Sequence, residues 1–309
     1  MLVWLPYLSR QQALDRLGPM PEGIDFDLAG RELGLPDAGR DRVEYFAVRN
    51  FEIDVARHVL SLGLPALRWF QLASAGYDYI IDQVPPQIGL LNAAGAHDTG
   101  TAELALALAL AHLNGLEAYS RDRQARLFAP GYGRTLADRR VLILGHGHIG
   151  QAVERRLAGF EVASVVRVAR HARSDPEVHA VADLPELLPQ ADLVFVTAPA
   201  TPETIGLLDA QALALLPDGA VLVNVGRGAI VDTDALVAEL GRLTAALDVT
   251  WPEPLPADHP LWTSPFVTWT PHVGGWSGAF ERRYDRLIRH QLARLAAGLA
   301  PDHVVRYPA

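Results

Sequence analysis

Short apolar runs alternate with longer amphipathic stretches through most of the chain. In the first ninety residues, this pattern predicts strands at Val43–Val48 and Leu67–Leu72 and a helix at Ile53–Leu62. From Arg140 the alternation becomes regular, and the strand-like runs are Val141–Leu144, Glu161–Val168, Leu193–Ala198, Ala220–Val225, Ala245–Val249 and Phe266–Thr270. Helical patterns lie between most of them, at Ile149–Leu157, Ala210–Leu216 and Thr233–Leu240. Continuous apolar strands that alternate with helices indicate an α/β fold with a parallel sheet covered on both faces.

Two further helices are predicted from residue propensity and spacing. Glu103–Leu116 is built largely from Ala and Leu, which are strong helix formers, so we expect a buried helix that is opened between Asp98 and Thr101 and closed near Gly115. A terminal helix is predicted from leucines at helical spacing, which are Leu287, Leu292 and Leu295. The Gly- and Ala-rich stretch near Ala93–Gly100 is suited to a hinge.

Composition narrows the class of protein. A chain of 309 residues is long for one compact core, so two domains are expected. The net charge of −9 provides no basic field, which argues against a nucleic-acid partner. The sequence has no cysteine, which excludes a thiolate nucleophile and a disulfide framework. With no signal-peptide pattern and no apolar run long enough to span a bilayer, we expect a cytoplasmic enzyme without a membrane partner.

A glycine-rich turn follows the apolar strand at Val141–Leu144. It reads Gly145, His146, Gly147, His148, Ile149 and Gly150, and it opens a predicted helix. In a dinucleotide-binding turn of this form, the glycines allow a tight turn, a close approach of the pyrophosphate and close helix packing, while the helix N-terminus attracts the anion. The strand–turn–helix setting favours dinucleotide binding over a simple tight turn. Two histidines two residues apart could suggest a metal site, but no carboxylate accompanies them in the sequence, so we interpret them as loop-facing.

The segment after the second strand bears on the choice of cofactor. A site specific for NAD would carry Asp or Glu about 20 residues beyond the last glycine, to bind the ribose hydroxyls. That region instead contains cationic residues, including Arg170 and Arg173. Arginine suits the 2′-phosphate of NADP, so a preference for NADPH is predicted, with NAD still possible. The alternative is a solvated basic loop without a ligand.

Three ionisable residues follow successive predicted strands. Arg227 comes after the strand that ends at Val225, Glu253 after the next strand and His272 after the last. Ligands of open α/β sheets bind outside the carboxyl ends of the strands. Reduction of a keto group creates charge on oxygen, which His272 can neutralise with a proton, since an unperturbed histidine has a pKa of about 6.5. Glu253 is placed to orient the imidazole, and Arg227 to clamp a substrate carboxylate.

Several segments together resemble the D-2-hydroxyacid dehydrogenase family. They are Asn224-Val225-Gly226-Arg227-Gly228, Leu247-Asp248-Val249 with Pro252-Glu253-Pro254-Leu255, Thr270-Pro271-His272-Val273-Gly274-Gly275, and Asp192-Leu193-Val194 with Thr201-Pro202-Glu203-Thr204. The likeness extends in order over about residues 65–300. It implies a doubly wound Rossmann domain, residues 94–279, inserted into a smaller flavodoxin-like α/β substrate domain, residues 1–93 and 280–309. It also implies a homodimer joined through the cofactor domains.

The resemblance assigns roles to particular residues. It implies that Arg227, Glu253 and His272 form the catalytic set, and that the loop Ser74-Ala75-Gly76 binds the substrate carboxylate through the amides of its last two residues. Residues implied to line the nicotinamide half of the site are Thr101, Ala198, Pro199, Val225 and Asp248. For Asp248, a simple capping of its strand end is the alternative. Trp276 follows the histidine turn and either walls the substrate pocket or serves ordinary packing.

The sequence therefore predicts an NADPH-preferring reductase of glyoxylate, hydroxypyruvate or a similarly small 2-keto acid, with a D-2-hydroxy acid as product. Two alternatives stay open. The same trio of Arg, Glu and His can also serve the oxidation of phosphite. A nucleotide-sensing regulator would share the fold without turnover, although a pure sensor needs no proton donor.

Overall fold

The computed structural model describes residues 1–50 and 52–309. The chain divides into two compact units. The first unit consists of Met1–His97 and Gly278–Ala309, and the second unit of Asp98–Ser277. The second unit is thus one continuous stretch that interrupts the first. Which unit binds substrate and which binds cofactor stays a prediction.

The strands and helices are numbered in chain order. The strands are β1 Leu2–Leu5, β2 Asp25–Leu28, β3 Val43–Ala47, β4 Trp69–Gln71, β5 Gly89–Leu91, β6 Arg140–Leu144, β7 Ser164–Ala169, β8 Arg173–Ser174, β9 Glu177–Ala180, β10 Leu193–Val196, β11 Val221–Asn224, β12 Thr244–Leu247, β13 Val267–Trp269 and β14 Val304–Arg306. The helices are α1 Arg10–Leu17, α2 Ile53–Ser61, α3 Asp98–Leu113, α4 Leu116–Gln124, α5 His148–Leu157, α6 Leu184–Leu187, α7 Ala210–Ala214, α8 Thr233–Glu239 and α9 Phe280–Ala296.

The first unit is built on a six-stranded sheet in the order β14-β5-β4-β3-β1-β2. Strands β1 to β5 pair in parallel in a flavodoxin-like order, and β14 adds to β5 in the antiparallel sense. Its core is aromatic: the buried rings of Phe46 and Phe70 stack with centroids 5.4 Å apart, and Trp4 meets Phe46 edge-on. Helix α9 packs its buried face, including Phe280 and Ile288, into the same core.

The second unit contains the larger sheet, in the order β13-β12-β11-β10-β6-β7-β9-β8. All neighbours pair in parallel except the short hairpin of β8 and β9. The chain runs outward from β6 through β7 and β9, and then continues on the other side of β6 from β10 to β13. This doubly wound order confirms the predicted Rossmann fold. The direction of winding reverses between β6 and β10, where ligands of such sheets bind at the carboxyl ends.

Most predicted elements are present, and the differences have local causes. Strand β7 begins at Ser164 rather than Glu161, because Glu161 lies in a turn with φ of 56°. The segment from Arg167 to Arg173, for which a solvated basic loop was the alternative, runs from the end of β7 into β8, and the hairpin of β8 and β9 was not predicted. Helix α3 begins at Asp98 and ends just before Gly115, whose φ of 67° lets the chain turn into α4. In the described ranges, no helix has the length and apolarity needed to cross a membrane.

Candidate active site

The glycine-rich turn joins β6 to α5 at the reversal point of the sheet. Gly145 has a φ of 107°, and a β-carbon there would lie 2.4 Å from the backbone nitrogen of Ala198, at the end of β10. A β-carbon at Gly150 would lie 2.3 Å from the Gly145 carbonyl oxygen. The first and third glycines are therefore required by close packing. A β-carbon at Gly147 would meet no described atom within 4 Å, so the second glycine faces open space.

This cradle fits the pyrophosphate of a dinucleotide. Gly147 caps α5, and the first turn of that ten-residue helix contains His148, Ile149 and Gly150. Amides in the first turn of a helix have no partner within the helix, and the helix dipole favours an anion there. Together with the open space at Gly147, these features leave room for a phosphate against the backbone.

Both histidines of the turn have carboxylate neighbours, so the prediction of loop-facing histidines without carboxylates was wrong. His146 is buried, and its Nε2 lies 2.6 Å from Oε2 of Glu154 on α5. His148 is exposed, and its Nδ1 lies 3.5 Å from Oδ2 of Asp98. The sequence separation of eight residues between His146 and Glu154 gave no hint of this contact. Among the residues described, no group of three or more potential ligands is placed to hold a metal ion.

Three arginines on and after β7 are engaged in different ways. Arg167 pairs with Glu154. Arg170 extends an Nη2 to Oε1 of Glu203 at 2.9 Å, in an exposed ion pair. Arg173 donates from Nη2 to the carbonyl oxygen of His146 at 3.0 Å, so it is attached to the glycine turn itself.

Arg227, Glu253 and His272 follow the adjacent strands β11, β12 and β13, at the carboxyl ends of the sheet. The turn after β11 is shaped by Asn224, whose side chain donates to the Arg227 carbonyl oxygen and accepts from the Gly226 amide, both at 3.0 Å. The buried side chain of Asn224, the last residue of β11, therefore holds the Arg227 backbone in place.

Glu253 and His272 form a direct pair. Nδ1 of His272 lies 2.6 Å from Oε1 of Glu253, and both side chains are less than half exposed. Because a carboxylate accepts hydrogen bonds, this contact places a proton on Nδ1 and leaves Nε2 for another partner. The arrangement holds an imidazole ring in one orientation with its second nitrogen available for proton transfer.

Asp248 organises the turn that carries His272. Its buried carboxylate accepts hydrogen bonds from the Thr270 hydroxyl at 2.6 Å and from the amides of Val273 at 2.8 Å and Gly274 at 2.9 Å. The His272 amide donates to the Asp248 carbonyl oxygen at 2.7 Å. His272 itself has a φ of 53°, a left-handed conformation that side chains other than glycine rarely adopt. These bonds therefore fix a strained residue.

The other predicted nicotinamide-lining residues surround the same strand ends. The Thr101 hydroxyl donates to the Gly274 carbonyl oxygen at 3.1 Å, so Thr101 also supports the histidine turn. Ala198 and Val225 are buried after β10 and β11, whereas Pro199 is exposed. Trp276 is 62 % exposed, which is more than core packing would leave. Contact of these residues with a cofactor or substrate stays a prediction.

The loop Ser74–Gly76 belongs to the first unit and follows β4. The Ser74 hydroxyl donates to the Gly76 carbonyl oxygen at 2.7 Å, and Nδ2 of Asn92 donates to the Ala75 carbonyl oxygen at 2.9 Å. Nε2 of His97 contacts the Ala73 carbonyl oxygen at 2.7 Å. Side-chain hydrogen bonds thus fix the carbonyls of Ala73, Ala75 and Gly76, in and next to this loop. Sequence reasoning did not predict Asn92 or His97 as its supports.

Comparison with known proteins decides the family. The family described as D-isomer specific 2-hydroxyacid dehydrogenase, NAD binding domain, matches residues 106–274, which is more than half of the chain. The chain belongs to this family. It is therefore an NAD(P)-dependent oxidoreductase.

Individual relatives of this dehydrogenase agree with that result. Glyoxylate/hydroxypyruvate reductase B of Pectobacterium carotovorum is 35% identical over 72% of each chain. Human glyoxylate reductase/hydroxypyruvate reductase is 37% identical over 56% of this chain and 53% of the human one. A D-isomer specific 2-hydroxyacid dehydrogenase from Xanthobacter autotrophicus, solved with NADPH and MES, has a TM-score of 0.80 and 28% identity, covering 98% of this chain and 97% of the other.

A second solved relative is an NADPH-dependent reductase. The NADPH-dependent glyoxylate/hydroxypyruvate reductase of Sinorhizobium meliloti, solved with NADP and malonate, has a TM-score of 0.75 and 26% identity over 100% of this chain and 98% of the other. A nicotinamide cofactor and 2-hydroxyacid dehydrogenase chemistry thus apply to this chain at the level of the family.

Proposed function

We propose that this dehydrogenase reduces a small 2-keto acid, such as glyoxylate or hydroxypyruvate, to the D-2-hydroxy acid and prefers NADPH to NADH. The observation that carries the proposal is the pair of His272 and Glu253 at the carboxyl end of the sheet, 2.6 Å apart, on segments that follow β13 and β12, next to β11, which Arg227 follows. The oriented imidazole of His272 can protonate the alkoxide that forms on the keto oxygen, and the guanidinium of Arg227 can stabilise its charge.

In the proposed reaction, individual residues of this chain have the following roles. When bound, a reduced nicotinamide supplies the hydride. Doubly protonated His272 delivers the proton on Nε2 to the former keto oxygen, while the other proton stays on Nδ1, hydrogen-bonded to Glu253. Arg227 binds the substrate carboxylate and polarises the carbonyl. In the first unit, the amides of Ala75 and Gly76, in a loop whose carbonyls are already hydrogen-bonded, are the candidate group for binding a carboxylate.

The preference for NADPH rests on the charges beside the glycine turn. Arg170 and Arg173 follow β7 in place of the acid that binds ribose hydroxyls, and Arg173 is attached to the turn. The relatives from Xanthobacter autotrophicus and Sinorhizobium meliloti were solved with NADPH and NADP. A homodimer joined through the second unit is part of the proposal, and sedimentation at several protein concentrations tests it.

The test is a substrate panel followed by the absorbance of the reduced nicotinamide. Glyoxylate and hydroxypyruvate are assayed with NADPH and with NADH, and phosphite is assayed with NADP and NAD. We expect a larger kcat/KM for the keto acids with NADPH than with NADH. Equal values with both cofactors would refute the preference. Oxidation of phosphite without reduction of keto acids would replace the proposed reaction, and binding of NADPH without any turnover would indicate a sensor.

A further inference from the structure

Four polar side chains at the glycine turn contact one another in series. They are Arg167, Glu154, His146 and Arg173, and we call them the polar chain. Arg167 on β7 donates from Nε to Oε1 of Glu154 at 2.8 Å. The other carboxylate oxygen, Oε2, lies 2.6 Å from Nε2 of His146. Nδ1 of His146 lies 3.4 Å from Nη2 of Arg173, and the same Nη2 donates to the His146 carbonyl oxygen at 3.0 Å. The imidazole is central to this polar chain and its side chain is 3 % exposed.

The two neighbours of the His146 ring, Glu154 and Arg173, determine which ring nitrogen carries a hydrogen. The hydrogen bond from Arg167 lowers the pKa of Glu154 below its usual range, so Glu154 is an ionised acceptor near neutral pH. His146 must then donate to it from Nε2. Arg173 has only donors, because a guanidinium accepts no hydrogen bond. The imidazole therefore faces Arg173 with an unprotonated Nδ1, and a neutral ring satisfies both neighbours at once.

The two arginines after β7 differ in what neutralises them. Arg170 pairs with Glu203, and both side chains are more than half exposed. Arg173 makes no ion pair within residues 1–50 and 52–309, and its contacts are with the ring and carbonyl of His146. Arg173 therefore keeps its positive charge and is held at the turn that receives the phosphates. A side chain that is already ordered loses less conformational entropy on binding.

We propose that His146 is a positioning residue for cofactor choice, holding Arg173 against the glycine turn so that Arg173 recognises the 2′-phosphate of NADP. The inference rests on the proposed preference for NADPH. His146, the first variable residue of the glycine motif, then helps to determine cofactor specificity together with the charged residues after β7. It also ranks the arginines: Arg173 contributes more than Arg170, whose charge Glu203 already offsets.

The test uses cofactor fragments, so that it does not depend on turnover. Isothermal titration calorimetry compares 2′,5′-ADP, which carries the 2′-phosphate, with 5′-AMP, which lacks it. The wild-type protein should bind 2′,5′-ADP more tightly. His146→Leu should reduce that preference by roughly 10-fold while the affinity for 5′-AMP changes less than about twofold, since one charge-assisted contact is lost. His146→Gln should retain much of the preference, because an amide can donate to Glu154 and accept from Arg173.

A mutant cycle keeps the inference testable if the leucine variant folds poorly. Arg173→Ala changes an exposed side chain and should lose the preference to the same extent as His146→Leu. In the Arg173→Ala background, His146→Gln should have no further effect on the preference. Equal weakening of both fragments in the His146 variants would show that the ring only shapes the turn, and an unchanged preference would also overturn the inference. A wild-type protein that does not distinguish the fragments would instead refute the proposed preference for NADPH.

Discussion

The carboxylate of Asp248 accepts three hydrogen bonds from the histidine turn, and Asp248→Asn tests their importance with little change in shape. Oδ1 accepts from the Thr270 hydroxyl and the Val273 amide, and Oδ2 accepts from the Gly274 amide. In the variant, the amide oxygen can occupy the Oδ1 position and keep two bonds. The amide nitrogen then faces the Gly274 N–H, so two donors oppose each other in a buried place.

The expected cost follows from these contacts. Hydrogen bonds to a charged acceptor contribute about 1.5–3 kcal/mol and neutral ones about 1 kcal/mol, and an unsatisfied buried donor costs about 1–3 kcal/mol. Weakening two bonds and orphaning the Gly274 amide should destabilise the protein by about 3 kcal/mol. The left-handed conformation of His272, which costs about 1–2 kcal/mol, would lose part of its support. If the turn relaxes, kcat should fall by roughly 10- to 100-fold.

Denaturant unfolding and steady-state kinetics measure the two effects. Asp234→Asn is a matched control, because it makes the same chemical change at an exposed position on α8 and should stay within about 0.5 kcal/mol of the wild type. Binding of 5′-AMP should be unchanged, since the glycine turn is not altered. An Asp248→Asn protein with wild-type stability and wild-type kcat would refute the argument that this carboxylate fixes the histidine turn.

Four other outcomes are expected. His272→Ala should reduce kcat by roughly 10²–10⁴-fold with little change in cofactor affinity, and a smaller loss would assign the proton to another donor. Arg227→Ala should raise the KM for the keto acid and lower kcat, and an unchanged profile would place the carboxylate clamp elsewhere. Arg170→Ala should raise the KM for NADPH more than for NADH, most clearly at low salt; equal changes would contradict a role at the 2′-phosphate. Burial, with a smaller effect of Arg134, lowers the pKa of His112 to about 4, so the unfolded state gains a proton first. Stability should therefore fall as the pH drops from about 6.5 towards 4, by up to about 3 kcal/mol, and this slope should be absent in His112→Gln.

The sequence predicted most of the second unit's sheet because apolar runs and glycines report directly on backbone structure, whereas only β3 and β4 of the first sheet were predicted. Strands β6, β7 and β10 to β13 and the turn at Gly145–Gly150 could be located because buried parallel strands are continuously apolar and close approaches require glycine. The proximity of Glu253 to His272 was expected from chemistry and from their positions after neighbouring strands, and their contact is 2.6 Å. Their catalytic roles stay predictions.

The sequence did not predict the directions in which individual side chains point. The contact of His146 with Glu154 depends on where a turn residue points relative to a helix that begins two residues later, and no periodicity describes that. The hairpin of β8 and β9 was missed because its strands are short and polar and its stability comes from pairing at the sheet edge. The same limit hid the support that Asn92 gives to the loop at Ala75.

The order in which the chain is synthesised has a consequence for how the first unit can fold. Its sheet is completed by β14, and its core by α9, both of which follow the whole second unit along the chain. The second unit is one continuous stretch and can fold as it leaves the ribosome. The sheet of β1 to β5 must instead wait about 180 residues for α9 and β14, with β5 presenting an unpaired edge in the meantime. Nascent chains arrested before residue 280 should accordingly be the species that chaperones hold.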